Sequence, residues 1–173
     1  SNRNGIEFGL TTNIVGGLKW KTAYNFSDFK YDEYNAIIYD INGNIVTKNY
    51  SGNIAPSVPK HYLSSDLIYN YDFTRSVSAF AKFNYTYVDG MYTDDENSAR
   101  TGAYILLNSG LGMEVNIANF SIIANAGLGN LTDKKYSAYL NINADPDKTV
   151  DKRAFYEAGA PRNFFAGINL GLQ

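Results

Sequence analysis

The sequence predicts an all-β fold, an antiparallel up-and-down sheet, on the strength of two patterns. Apolar residues recur at every second position through seven segments, and the helical period is almost absent. Short and long connections between these segments alternate, so that the long loops all fall at one end of such a sheet. Transmembrane β-barrels have this arrangement, because their periplasmic turns are short and their extracellular loops are long.

The first three predicted strands cover residues 4–12, 18–31 and 61–72. Their apolar positions are Ile6, Phe8 and Leu10, then Leu18, Trp20, Tyr24 and Phe26, then Leu63, Leu67, Tyr69 and Tyr71. A short link at residues 13–17 joins the first two strands, whereas a long loop at residues 32–60 precedes the third.

Four further predicted strands cover residues 76–89, 101–115, 120–129 and 162–172. The first of them shows the alternation clearly, with Val77, Ala79 and Ala81 on one parity and with Ser78 and Lys82 on the other. The connections between these strands are the tight turns 72–75 and 116–119 and the longer loops 91–100 and 134–160. Prolines occur only between strands or at a strand start, where the missing N–H does no harm.

Two features favour a membrane barrel over a soluble sheet. Most of the predicted strands reach the length of about 9–11 tilted residues that crosses a bilayer. Aromatic residues of the apolar parity lie towards the strand ends, as in an interfacial girdle. The alternation also suits a soluble extracellular β-sandwich with one wet face, so a sandwich adhesin stays open as an alternative.

The strand number leaves two barrel hypotheses. Seven antiparallel strands do not close an up-and-down barrel, and bacterial single-chain barrels have even numbers of strands. An eighth strand could lie within residues 36–50, where the sequence predicts a hairpin around Asn42-Gly43. The chain would then be a small, self-contained eight-stranded outer-membrane barrel with a structural or pore-forming role. Otherwise the chain is a segment of a larger barrel, as the lack of a leader pattern at Ser1–Gly5 also suggests.

The composition excludes several function classes. The chain has 173 residues, no cysteine, one histidine and a formal net charge of -2, without a basic stripe for nucleic acid. No apolar run is long enough for a transmembrane helix. Any Ser/His/Asp triad would have to use His61, so we predict no catalytic residues, no cofactor and no enzyme activity.

Three segments resemble the C-terminal end of TonB-dependent outer-membrane receptors. They are SVPKHYLSSDLIYNYD at residues 57–72, NLTDKKY at 130–136 and GAPRNFFAGINLGL at 159–172, and NRNGIEFGL at 2–10 resembles an earlier strand start in that family. The resemblance implies a segment of a barrel of about 22 strands with a plugged lumen. It further implies import of a scarce nutrient, such as a ferric siderophore, across the bacterial outer membrane.

The resemblance also implies partners and a domain organisation. We expect residues 1–173 to be the C-terminal part of the barrel domain, without the plug domain. Contact with TonB is expected through that missing N-terminal region, and contact with outer-membrane lipid through the barrel wall. One departure is the ending Leu170-Gly171-Leu172-Gln173, where family members usually end on an aromatic residue.

Candidate site residues lie in the long loops and on the polar parity of the strands. Aromatic side chains of the loops are the candidate ligand contacts, with anchoring in the membrane interface as the alternative: Tyr31, Tyr34, Tyr39, Tyr92, Tyr136 and Tyr139. Lys82 and Glu114 have the parity of the lumen, where they could face a plug or a solute or form ion pairs with neighbouring strands.

Acidic clusters and the single histidine are the remaining candidates. Asp94-Asp95-Glu96-Asn97 and Asp145-Pro146-Asp147 offer oxygen ligands for calcium, but neither has EF-hand spacing, and we predict solvated loops instead. His61 lacks the three or four partners that a transition metal needs. We therefore predict an interfacial or structural histidine and no metal site.

Overall fold

The computed structural model describes residues 1–140, 142 and 156–172. Eleven strands lie within these residues: β1 (Asn2–Val15), β2 (Leu18–Lys30), β3 (Asn35–Tyr39), β4 (Ile45–Asn49), β5 (His61–Asp72), β6 (Val77–Val88), β7 (Tyr104–Ile117), β8 (Phe120–Gly129), β9 (Ser137–Leu140), β10 (Tyr156–Ala158) and β11 (Asn163–Leu172). No helix in the described residues is long and apolar enough to cross a membrane.

Seven of the strands form one antiparallel sheet in the order β1-β2-β5-β6-β7-β8-β11. Each predicted strand corresponds to one strand of this sheet, and neighbours along the chain are neighbours in space. The predicted up-and-down topology is therefore confirmed. The largest difference at a strand start is in β7, which begins at Tyr104 rather than at residue 101.

The connections divide between the two ends of the sheet, as the alternation predicts. The tight turns β1–β2, β5–β6 and β7–β8 lie at one end, and the long connections lie at the other. Gly16 and Gly17 make the first turn with φ values of 49° and 86°. A side chain at position 17 would run into the carbonyl oxygen of Asn70, so that glycine is required there for space as well as for conformation.

The hairpin predicted within residues 36–50 forms, but its strands do not enter the large sheet. Within the described residues, β3 and β4 pair only with each other, from Asn35↔Asn49 to Tyr39↔Ile45. Asp40 closes the turn by accepting hydrogen bonds from the backbone amides of Asn42 and Asn44. The hypothesis of an eighth barrel strand in this segment is therefore wrong.

A second hairpin occupies part of the connection at residues 134–160, which the sequence predicted as a loop. Strands β9 and β10 pair there as a separate two-stranded sheet. Unlike residues 36–50, these two short segments are not joined by a tight Asn-Gly turn, so the sequence offered no local signal for their pairing.

The main sheet has one apolar face and one polar face. Cross-strand partners share a face, and the registers Ile6↔Phe26, Met113↔Ala124 and Ile122↔Leu170 keep the apolar stripes aligned. Outward side chains on β11 are among the most exposed, with Phe164 82% and Leu172 77% accessible. No second sheet covers this face among the described residues, so the sandwich hypothesis is wrong and a lipid-facing wall fits.

The polar face packs aromatic rings onto glycines. The rings of Phe80 and Phe165 lie over Gly112 and Gly127 on the neighbouring strands, where a Cβ atom would come within 2.5 Å of ring carbons. Strand glycines weaken a sheet unless something uses the space they leave. Here the rings fill it, which explains the glycines at these two positions.

Candidate functional site: the long-loop end of the sheet

The long connections β2–β5 and β6–β7 meet at Asp95, a carboxylate that is only 8% exposed. Its Oδ1 accepts a hydrogen bond from the hydroxyl of Tyr31 at 2.5 Å, and its Oδ2 accepts one from Tyr34 at 3.1 Å. The side-chain amide of Asn53 donates to its backbone oxygen at 2.8 Å. One residue of the shorter loop therefore gathers three residues of the longer loop, and we call this group the Asp95 clasp.

A second set of hydrogen bonds runs beside the Asp95 clasp. Asn97 accepts from the backbone N–H of Ile54 and donates to its carbonyl, both at 2.8 Å. The amide of Ser57 donates to the carbonyl of Tyr92 at 2.9 Å. Lys48 of β4 also forms an ion pair with Glu96, which links the β3–β4 hairpin to the same loop. The two loops therefore form one body through side-chain and backbone contacts.

Asp94 closes its own loop. Its carboxylate accepts hydrogen bonds from the backbone N–H and hydroxyl of Ser98 at 2.8 and 2.9 Å, and from the hydroxyl of Thr93 at 3.1 Å. Burial alone would raise the pKa of Asp94, but these hydrogen bonds outweigh it and hold the pKa below the usual value. The carboxylate is thus used for local structure.

The calcium candidates divide into one described and one undescribed segment. Residues 94–97 lie in the Asp95 clasp and its neighbouring turn, and no group of three metal-ligating side chains with suitable geometry exists among the described residues. Asp145-Pro146-Asp147 lies outside the described residues.

The tyrosines of the Asp95 clasp are held in their neutral form. Burial raises the pKa of Tyr31, and the hydrogen bond and negative charge of Asp95 raise it further. The pKa of Tyr34 is raised by the same causes. Their rings lie 4.7 Å apart, and that of Tyr34 lies 5.6 Å from that of Tyr50. These hydroxyls therefore serve as donors to the carboxylate of Asp95.

Two sequence segments used for the family resemblance contact each other. Asn130, with φ 51°, donates through Nδ2 to the carbonyl oxygens of Lys134 at 2.9 Å and Ala160 at 3.0 Å. Asp133 accepts a hydrogen bond from the backbone N–H of Arg162 at 2.8 Å. The segments NLTDKKY and GAPR thus form one structural unit at the start of β11, which the sequence alone did not reveal.

Tyr136 completes this unit. Its ring occupies the space that a side chain at Gly159 would need, and its carbonyl accepts the Gly159 amide at 2.8 Å. On its other side it lies 4.7 Å from the ring of Tyr104. Glycine at position 159 is therefore explained by a close aromatic contact.

The other predicted loop tyrosines lie in different surroundings. Tyr92 lies under the guanidinium of Arg100, 5.7 Å from the ring centroid. Tyr39 on β3 and Tyr139 on β9 are 71% and 62% exposed. The structure thus brings Tyr31 and Tyr34 together and leaves Tyr39 and Tyr139 largely exposed. A ligand-binding role for all six tyrosines stays a prediction.

The polar face of the main sheet, which we also call its inner face, carries a row of hydrogen bonds across several strands. Asn84 donates to Asp66 and accepts from Asn108, each at 2.9 Å, and Asn108 accepts the backbone N–H of Asn130 at 2.9 Å. The ammonium of Lys82 lies 3.4 Å from Asp66. This row ties the wall to the unit that precedes β11.

Glu114 lies nearer the short-turn end of the same face. It accepts hydrogen bonds from Asn116 and Ser121, both at 3.3 Å. Lys82 and Glu114 therefore both have partners on the polar face. Whether they also face a plug or a solute stays a prediction.

His61 lies on the apolar face, at the long-loop end. Its Nδ1 is 2.8 Å from the hydroxyl of Tyr24, and its ring lies 5.4 Å from that of Phe26. Lys60 places its ammonium 5.7 Å from the Phe26 centroid. Aromatic side chains with polar tips at this level are typical of the interface between lipid tails and head groups. The surroundings of His61 agree with an interfacial histidine.

Comparison with known proteins identifies a family and several solved structures that resemble this chain. The family model described as "TonB dependent receptor-like, beta-barrel" matches residues 1–143. No curated protein sequence matches the chain. Solved receptors that it resembles include BauA, the ferric preacinetobactin receptor from Acinetobacter baumannii, at 17% identity and a TM-score of 0.71 over 96% of the chain.

Two further solved receptors give the same picture. The ferric yersiniabactin uptake receptor FyuA from Yersinia pestis matches at 22% identity and a TM-score of 0.66 over 97% of the chain. The siderophore receptor PiuA from Acinetobacter baumannii matches at 20% identity and a TM-score of 0.67 over 98% of the chain. The chain spans only 21% to 23% of the length of these three receptors. The likeness shows a shared fold over that portion.

Proposed function

Because this chain belongs to the TonB-dependent receptor-like β-barrel family, we propose that it forms part of the wall of an importer of ferric siderophores. The family resides in the bacterial outer membrane and carries out transport without enzyme catalysis, in agreement with the predicted location and the predicted lack of enzyme activity. The solved receptors with the same fold are named for ferric siderophores or siderophores, which supports the ligand class.

One structural observation carries the proposal. The sheet has an uncovered apolar face on one side, and at one end two of its long connections, β2–β5 and β6–β7, are tied together by Asp95 and Asn97. A wall with a lipid face and a braced loop end is what a receptor needs to present a ligand site outside the membrane. A soluble adhesin needs no lipid face, and a small closed barrel would pair its first and last strands, whereas β1 and β11 lie at opposite edges of the sheet in the described residues.

We assign ligand capture to the loop end and energy coupling to the rest of the receptor. Tyr39 and Tyr139 are our first candidates for ligand contact, since both are exposed on two-stranded sheets that are separate from the main sheet. The plug domain, and with it the contact to TonB, is assigned to parts of the protein outside residues 1–173.

The first test is the mass of the native polypeptide that carries the segment YEAGAPRNFFAGINLGLQ, measured in outer-membrane fractions of the source cells. We expect about four to five times the mass of this chain, because the chain spans 21% to 23% of the matched receptors. A mass equal to that of the chain would refute the proposed receptor.

The second test is uptake of radiolabelled iron, supplied as ferric siderophores, by cells with and without the gene for the full-length receptor. We expect uptake of at least one complex to require both the receptor and TonB. Uptake that is unchanged in the deletion strain for every complex would contradict the siderophore function while leaving the family assignment intact.

A further inference from the structure

A small basic cavity lies at the long-loop end, between the β6–β7 connection and the residues that follow β8. Its volume is about 290 Å³. Three cationic residues line it, Arg100, Lys134 and Lys135, together with the rings of Tyr104 and Tyr136, and its lining contains no carboxylate. We call it the Lys134 pocket.

The Lys134 pocket opens on the inner face of the sheet. Tyr104 lies opposite Val88 in the β6–β7 register, on the parity of Asn84 and Lys82 and opposite to that of the lipid-facing Ile105. The ring of Tyr136 lies 4.7 Å from that of Tyr104. In a closed barrel this position is the outer part of the lumen, which a ligand crosses on its way in.

The backbone around the Lys134 pocket is fixed by hydrogen bonds. Asn130 accepts the Lys134 amide at 2.8 Å and donates to the Lys134 carbonyl at 2.9 Å. Arg100 donates to the carbonyl of Gly90 at 3.1 Å and lies 3.2 Å from Asp89. The pocket is therefore held by the two loops before any ligand arrives, which lowers the entropy cost of binding.

Among the described residues, only one of the three cationic residues that line the pocket has an ion-pair partner. Asp89 pairs with Arg100, whereas Lys134 and Lys135 form no ion pair with any carboxylate among the described residues. A lining that contains two lysines and two tyrosines suits a ligand group that is both negatively charged and flat. Neutral groups gain no charge–charge attraction from the two lysines, and cationic groups are repelled by them.

We propose that the Lys134 pocket binds an anionic aromatic group of the imported ligand, such as a catecholate or an aryl carboxylate. The cavity lies at the lower end of the roughly 300–1,000 Å³ that whole ligands occupy, so it takes one ring of a larger chelate. Tyr104 contacts the ring of the ligand, the two lysines pair with its oxygens, and Tyr136 supports Tyr104. This inference rests on the proposed import function and names the ligand chemistry at one position.

The test uses the purified full-length receptor and three probes. They are an iron-free disulfonated catechol, the trianionic ferric complex of a synthetic tris-catecholate, and the uncharged ferric complex of a synthetic tris-hydroxamate. Binding is measured by equilibrium dialysis for the wild type and for the double variant Lys134→Gln with Lys135→Gln.

Two further variants serve as controls. Lys30→Gln with Lys60→Gln removes the same charge at the same end of the sheet but outside the pocket, where Lys30 pairs with Asp28 and Lys60 lies over an outward aromatic ring. Lys134→Arg with Lys135→Arg keeps the charge of the pocket. If the glutamine variant fails to reach the membrane, the arginine variant and the salt dependence of the wild type still test the pocket.

We expect the glutamine variant to bind the disulfonated catechol and the tris-catecholate complex about tenfold more weakly, from the loss of charge-assisted contacts. Binding of the tris-hydroxamate complex should not change, and the arginine variant and the Lys30/Lys60 control should resemble the wild type. Wild-type binding of both catechol probes should weaken as salt is added.

The pocket inference is overturned if the wild type binds neither catechol probe, if its affinity is independent of salt, or if the pocket variant and the control lose affinity equally. The proposed import function fails separately. A receptor that binds the iron-free catechol through Lys134 and Lys135, but supports no uptake of any ferric complex, would refute the function and keep the pocket.

Discussion

Replacing Asp95 by alanine tests the claim that one carboxylate holds the two long loops together. The substitution removes the acceptor for the hydroxyls of Tyr31 and Tyr34, at 2.5 and 3.1 Å, and leaves the hydrogen bond from Asn53 to the backbone. A hydrogen bond to a charged group contributes about 1.5–3 kcal/mol. Both tyrosines are partly exposed and can turn to water, so we expect a total loss of about 2–3 kcal/mol.

The assay is amide hydrogen exchange of the full-length receptor in detergent. The reporters are the N–H of Tyr31, which donates to Asn53, and that of Gly52, which donates to Tyr31. A loss of about 2–3 kcal/mol corresponds to local opening that is roughly 30 to 150 times more frequent. Amides of the central strands should exchange as in the wild type, because those strands do not depend on the Asp95 clasp.

Two matched variants sharpen the result. Asp95→Asn keeps an acceptor oxygen without the charge and should give an intermediate acceleration. Glu96→Gln removes the neighbouring charge, whose only ion pair in the described residues is an exposed one with Lys48 worth at most about 1 kcal/mol. Equal acceleration in Glu96→Gln and Asp95→Ala would refute the assignment of the clasp to Asp95, as would unchanged exchange in Asp95→Ala.

Three other predictions concern pH, packing and the lipid face. The pKa of Asp94 is lower in the folded than in the unfolded state, so its carboxylate stabilises the fold at pH values above the unfolded pKa of about 4, and this stability is lost as the pH falls through the folded pKa. Amide hydrogen exchange in its loop should therefore rise only below about pH 4. Asp94→Asn should abolish this pH dependence of exchange. Gly127→Ala should lower the thermal midpoint through about 1–3 kcal/mol of overpacking against the ring above it, whereas Gly9→Ala, with open space at its Cβ position, should not. Ile168→Arg on the lipid face should lower the free energy of unfolding by about 2–4 kcal/mol near the bilayer centre and reduce the amount of folded receptor in the membrane. Asn169→Arg on the inner face of the same strand should be tolerated. An equal loss of folded receptor in both variants would contradict the assignment of the faces.

The strands and their order were predictable because the signal for them is local. A strand with one lipid face must place an apolar residue at every second position, as Ile168 and Leu170 show, and short turns leave little choice of neighbour. Residues 36–50 were predicted as a hairpin for the same reason. Their place outside the main sheet was not predictable, because side-chain alternation indicates a strand but not the strand with which it pairs.

The segments behind the family resemblance were recognised in the sequence, whereas their purpose became visible only in the structure. Asn130 and Ala160 are 30 positions apart and meet through one hydrogen bond. The left-handed conformation of Asn130 and the position of the Tyr136 ring over Gly159 accompany this contact between the two segments. Short-range patterns hold no information about such contacts.

By itself, the sequence determined the all-β class, the seven strands of the wall, the face that meets lipid and the end of the sheet that carries the long loops. Those properties follow from side-chain alternation and loop length, which act between residues close together along the chain. Only the tertiary structure decided which loop residues come together. Tyr31 and Asp95 are separated by 64 positions, and Lys134 and Arg100 line one pocket from different connections. Such sites arise from the registers of several strands at once, and no single stretch of sequence contains them.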